Sequence, residues 1–224
     1  MNNLDEILEK LSKERLVFHS EADFQHALAW QIHKIHPNYN IRLEKPQELK
    51  NNQIHLDLIV GVGSQKIAIE LKYKTLSLFT DIPKKYNPTK NENCFIENEL
   101  FQLKNQLARN HARYDFIKDI HRLEYLVSKK IITKGFAIFL TNDKNYWENS
   151  GRDSMDKNFR IHDKQILEGK LDWNLKDNPS PKLGKRSDSI SLQKKYKLNW
   201  RDYSDISKIC RINNNFKYLV VEIN

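Results

Sequence analysis

Cysteine is scarce in this 224-residue chain, with only Cys94 and Cys210. They stand far apart, form no metal-ligand spacing and fit a reducing compartment. Long apolar runs are missing too: none approaches the ~20 residues of a membrane span. The opening Met1-Asn2-Asn3-Leu4-Asp5-Glu6 has neither a basic start nor an apolar signal core, so export is not expected and a cytoplasmic location is. No glycine-rich phosphate loop is present, because Gly61-Val62-Gly63 lacks a third glycine and a following helix; a nucleotide cofactor is not expected. Neither G-x-S-x-G nor H-E-x-x-H occurs, and His111 and His121 are not placed like zinc ligands.

What the chain does have is charge. Charged residues make up 30% against 39% hydrophobic, and the net formal charge is +9. There is enough apolar material for one core, and 224 residues suit one good-sized domain. The positive excess favours a polyanionic partner, since each neutralised phosphate releases counterions. The plainer alternative is a composition rich in Lys and Asn throughout.

Hydrophobic periodicity places the elements. Leu4, Ile7, Leu8 and Leu11 have helical spacing. Ser20 reads as an N-cap with Asp23 at the capping-box position, opening a helix that carries Glu21 in its first turn and stops before Pro37. A strand is expected over 40–44 and a polar turn over 47–53. Residues 54–60 alternate, with Ile54, Leu56, Leu58 and Val60 on one face and His55, Asp57 and Ile59 on the other. After a turn at Gly61–Gly63, residues 66–74 alternate again, with Ala68, Glu70, Lys72 and Lys74 sharing a face, so the two runs make a hairpin. The irregular stretch 75–94 has the length of a lid or binding loop. A long helix is expected over 97–128, broken near 110–114 where its apolar stripe rotates. Residues 135–140 read as a buried central strand, 189–192 as a strand and 216–223 as a closing strand that rejoins the sheet. Asn178-Pro179-Ser180-Pro181 reads as a turn or linker.

The chemistry lies on the hairpin. Glu70 and Lys72 point to one face, and Asp57 on the adjoining strand can approach Glu70 across the ladder, where opposed Cβ atoms lie ~5 Å apart. Two such carboxylates repel unless a cation separates them or one is protonated. Mg²⁺ suits the pair, with Mn²⁺ substituting, and the Leu71 carbonyl is a plausible further ligand. Lys72 then either orients or deprotonates a water or neutralises charge on a phosphate. The bland alternatives are an ion pair on a solvated sheet face and, for Glu21, an acid favoured by the helix dipole.

Asp57, a twelve-residue gap, and Glu70-Leu71-Lys72 on a hairpin, preceded by a helix bearing Glu21, resemble the PD-(D/E)xK nuclease superfamily, which includes type II restriction enzymes, phage exonucleases and several repair nucleases. The resemblance implies an α/β fold with a central mixed sheet flanked by helices, restriction-endonuclease-like, and Mg²⁺-dependent phosphodiester hydrolysis. It implies Asp57 and Glu70 as metal ligands, Lys72 as the catalytic lysine, and Glu21 as an assisting acid. It covers about residues 20–140 by element order. Leu56 stands where the family has proline, and the last third, from about 145 to 224, finds no counterpart.

A single domain over 1–224 is therefore expected to act as a DNA endonuclease, of restriction type, with a homodimer cutting both strands. A repair or structure-selective nuclease, or a silent nucleic-acid-binding module on the same fold, are the alternatives. Lys74, Arg109, Arg113, Lys185 and Arg186 are the candidate phosphate contacts.

Overall fold

The computed structural model describes residues 4–49, 52–78, 94–96, 98–175 and 183–224. Most of the expected lid (79–93) and the Asn178–Pro181 linker fall outside them.

Helix α1, Leu4–Glu14, buries Leu4, Ile7, Leu8 and Leu11, the stripe its spacing announces. Helix α2, Glu21–Ile35, starts at Ser20, whose hydroxyl accepts from the Asp23 N–H at 3.1 Å. Asp23 Oδ2 accepts in turn from the His19 N–H at 2.9 Å, so the shorter acid completes a capping box one residue further back. The helix closes at His36, ahead of Pro37.

Strands β1 (Asn40–Leu49), β2 (Asn52–Val62) and β3 (Gln65–Lys74) form an antiparallel meander. Ladder pairs of β1 and β2 run on to Leu49↔Asn52, through most of the segment expected as a polar turn. Gly63, at φ 58°, opens the two-residue turn into β3, where a side chain would be strained. Two short strands, β4 (Cys94–Ile96) and β5 (Glu99–Phe101), precede helix α3, Arg109–Ser128. Then come β6 (Lys134–Thr141), β7 (Ile166–Leu171), β8 (Ile190–Lys197), β9 (Trp200–Asp205) and β10 (Asn215–Ile223). The main sheet runs β1-β2-β3-β6-β10-β9, with β3 and β6 parallel and its other pairs antiparallel. It is a mixed sheet with helices on both sides. Helices α1 and α2 cover one face over Leu58, Ile69, Leu71, Ile138 and Tyr218. Helix α3 and the β7–β8 hairpin cover the other over Ile59, Ala68, Ala137 and Leu219. Gly135 lets α3 approach β6 closely, since a Cβ there would stand 3.0 Å from that of Leu123.

Three further expectations need correction. The long helix begins only at Arg109, and 99–101 is strand. Phe101 and Leu103 turn inward at strand spacing, while Leu107 is 63% exposed. Backbone groups here bond to the chain beyond β3: Gln106 N–H donates to Thr75 O, and Thr75 Oγ1 to Lys104 O. Second, the alternation of β2 slips at Asp57, for Leu56 packs with α3 while Leu58 packs with α1 and α2. Third, Cys94 and Cys210 form a disulfide, with Cα atoms 6.4 Å apart across a sequence separation of 116. Such bonds persist in oxidising surroundings, so the cysteines lend no support to a reducing compartment. No described helix is long and apolar enough to cross a membrane.

Candidate active site

The site arises where β2 leaves β3. Ladder pairs run from Val62↔Gln65 to Leu58↔Ile69 and stop there, while β3 continues along β6 as far as Lys74↔Thr141. Beyond Ile69, the N–H and C=O groups of β3 that would have met β2 lack a strand partner. Those of one residue point the same way, so Leu71 and Tyr73 present theirs to the open edge. Two carboxylates take the donors. The Leu71 N–H donates to Asp57 Oδ2 at 2.6 Å, and the Tyr73 N–H donates to Glu21 Oε2 at 2.7 Å. Residues two apart on a strand are separated by about 6.6 Å, which sets the spacing of the two acids along the edge.

The backbone of Asp57 is held from behind. Gln25 Nε2 donates to the Asp57 carbonyl and to Glu44 Oε1, each at 2.7 Å. Glu44 lies between the rungs Leu43↔Leu58 and Lys45↔Leu56, opposite Asp57, and has φ 47°. A glutamate in the left-handed region costs on the order of 1–3 kcal/mol, strain stored beside the acid.

The other members point from β3 toward α3. Glu70 is 2% exposed and meets Arg122 Nη2 at 2.7 Å. Lys72 Nζ donates to the Leu71 carbonyl at 3.0 Å and meets Asp119 Oδ2 at 2.6 Å. Asp119 Oδ1 accepts from Arg122 at 2.8 Å, completing a chain Lys72–Asp119–Arg122–Glu70. Lys74 leans on Glu21 at 3.4 Å. Burial pushes the Asp57 carboxyl above the usual range, against the Leu71 N–H and Lys72. Burial, then Asp119, pushes Glu70 up strongly, with Arg122 opposing. Burial disfavours the Lys72 ammonium, but Asp119, Glu21 and Asp57 outweigh it and hold the lysine charged.

The structure thus gathers Glu21, Asp57, Glu70, Leu71, Lys72 and Lys74 and adds two residues outside the expected set, Asp119 and Arg122. Asp119 and Arg122 lie on the buried side of α3. The available signal was Asp119 itself, which occupies an apolar position in the row Ala112, Phe116, Leu123, Leu126. The other expected phosphate contacts lie outside this cluster, although Arg186 lines a hollow that Lys74 also borders. Arg113 is 11% exposed, paired with Asp156 and stacked over Tyr146, so it is not free for phosphate. Arg109 pairs with Asp143, and Arg186 grips Asp115 with two bonds of 2.7 Å. Lys185 is exposed in the 3-10 turn that also carries Arg186.

The donor set suits a hard divalent cation. The Leu71 carbonyl, Asp57 and Glu21 share one open edge, and Glu70 Oε1 and Asp119 Oδ2 are buried without a well-directed hydrogen bond. Four carboxylates, Glu21, Asp57, Glu70 and Asp119, face three cations, Lys72, Lys74 and Arg122, so one negative charge is left over when all four are ionised. As they stand, no three His, Cys, Asp or Glu side chains among the described residues converge on one point. Mg²⁺ needs only one or two carboxylates, completing its shell with waters and phosphate oxygens. Set against family models, characterised proteins and solved structures, the chain finds no match in any of the three.

Proposed function

We propose that this chain is a Mg²⁺-dependent phosphodiester hydrolase acting on DNA, an endonuclease of restriction type built on a restriction-endonuclease-like fold. The observation that carries this is the open edge of β3, where the carboxylates of Asp57 and Glu21 flank the Leu71 carbonyl with Lys72 and Glu70 alongside. Asp57, Glu70 and the Leu71 carbonyl would hold the ion, with Glu21 assisting. The bound ion supplies an acidified water and a polarised phosphoryl group. Lys72, held as an ammonium, neutralises charge gathering on the phosphate, which favours this role over that of base. Lys74 holds a neighbouring phosphate, and the net charge of +9 favours the polyanion.

One observation favours a second reading. Arg122 already neutralises Glu70, and Asp57 and Glu21 already serve as caps of an open strand edge, as they would in a silent nucleic-acid-binding module.

Supercoiled plasmid incubated with Mg²⁺, Mn²⁺ or chelator separates these readings. The expected result is cleavage in either metal and none in chelator. Discrete bands indicate restriction-type cutting, and cutting confined to branched or damaged substrates a repair nuclease. Linear product appearing without a nicked intermediate indicates a dimer acting on both strands. Binding without cleavage in every metal rejects the enzyme in favour of the module. The metal-bound state needs ionised carboxylates, and burial raises both Asp57 and Glu70. Cleavage therefore falls as pH drops, beginning above the ordinary carboxylate range of about 4. The fold responds oppositely: the contribution of these two acids to stability is fully present at acid pH and is lost as pH rises through their raised values.

A further inference from the structure

Beside the carboxylates, at the end of β3, two hollows of about 290 and 320 Å³ open next to each other. Lys74 and Gln106 line both, so the two make one groove. Glu21 lines the first hollow, which ties the groove to the site. Lys104 stands on the wall of the first hollow and His111 on that of the second. Lys104 is exposed and makes no ion pair among the described residues. Acids near the groove are largely engaged: Glu21 with the Tyr73 N–H and Lys74, Glu99 with His19 at 3.0 Å, and Asp115 with Arg186. One feature is apolar, for Leu107 on the second hollow is 63% exposed. The wall carrying Lys104 is fixed, because 104–106 bond to Thr75 and Ser77 just past β3.

We propose that this groove is the track of the nucleic-acid strand, with backbone phosphates on Lys104 and Lys74 and the Leu107 side chain against a base. The proposal rests on the nuclease reading and deepens it, naming the path by which a strand reaches the acids. A bare cation patch would suit any anion. Lysines interrupted by an exposed leucine suit a polymer whose charged backbone and apolar base faces alternate. Hollows of about 300 Å³ are at the small end for ligand pockets, so each fits about one unit of such a chain.

The test is binding of fluorescent single-stranded and duplex DNA to the full chain in chelator, across a salt series, with cleavage in Mg²⁺ measured separately. Lys104→Ala should weaken binding and reduce the slope of log K against log salt by about 0.7–0.9, the loss of one phosphate contact. Leu107→Ala should weaken binding several-fold with an unchanged slope. Lys170→Ala, on the β7–β8 hairpin and lining neither hollow, should change neither. All three side chains are exposed, so folding is not at stake. Wild-type affinity and slope in both groove variants would overturn the groove while leaving cleavage, and the nuclease reading, intact. Binding that depends on both residues, with no cleavage in any metal, would keep the groove and remove the enzyme. Failure of the wild-type chain to bind DNA, or displacement of DNA by polyglutamate at equal charge, would overturn the proposal.

Discussion

Lys72→Ala is expected to lower cleavage of a short duplex by about 10²–10³-fold, the effect of removing one preorganised charge from a phosphoryl-transfer site. The ammonium is fixed between the Leu71 carbonyl and Asp119, so on the proposed function it would meet a phosphate at this edge without reorganising. DNA binding in chelator should change little, because Lys74 remains. Asp57→Asn should cost as much or more: a bound ion supplies several kcal/mol to the transition state, at about 1.36 kcal/mol for each tenfold. It should not destabilise the fold. An asparagine oxygen can still accept from the Leu71 N–H, and a carboxyl whose folded value is raised is one whose ionisation opposes folding at neutral pH. The expected pattern is therefore lost activity with a melting temperature at or above that of the wild type. Activity within threefold of wild type in either variant would show that these residues do no chemistry.

Glu124→Ala is expected to destabilise the protein by about 3–5 kcal/mol, as when a buried charge network loses its acceptor. Glu124 is 3% exposed on α3, and its carboxylate accepts from the Gln193 N–H at 2.9 Å, the Lys194 N–H at 2.9 Å and the Tyr196 hydroxyl at 2.9 Å. Burial first, and Glu124 second, keep Tyr196 a protonated donor. Alanine leaves two backbone donors and the buried Tyr196 phenol without their acceptor and loosens the β7–β8 hairpin against the helix. At about 2–4 °C per kcal/mol for a chain of this size, the melting temperature should fall by on the order of 10 °C, read by circular dichroism. Glu124→Gln, which keeps one acceptor oxygen, should lose less. A shift under 2 °C for alanine would mean that the hairpin is held by its apolar contacts alone.

The parts of the fold legible in the sequence are those in which a local pattern and the tertiary role agree. Alternation either side of Gly61–Gly63 gave the β2–β3 hairpin, Ser20 gave the start of α2, and the run 135–140 gave the strand buried on both faces. Strand β9 was not legible because only Trp200 and Tyr203 of it turn inward. Strand β7 was not because Gly169, at φ 64°, breaks the period inside six residues. Leu100, Leu103 and Leu107 imitated a helix stripe, although their stretch is anchored by long-range bonds to Thr75 and Ser77 that no local window contains. The Cys94–Cys210 bond likewise depends on distance in space rather than along the chain.

The site divides the same way. Glu70 and Lys72 could be placed by the period of β3, though not Asp57, where the alternation of β2 slips. Their arrangement at an open edge could not, since it depends on β2 parting from β3 and on Gln25 and Glu44 holding Asp57 from behind. Asp119 and Arg122 reach the site only because α3 crosses the face that carries Glu70 and Lys72.

The central claim is that this edge holds a divalent cation, and a Mn²⁺ titration of the wild-type chain and of Asp57→Asn, followed by electron paramagnetic resonance of the free ion, tests it without assuming a substrate. The expected result is one saturable site per wild-type chain, lost or strongly weakened in Asp57→Asn. Absence of saturable binding by the wild type, or undiminished binding by the variant, would contradict the account.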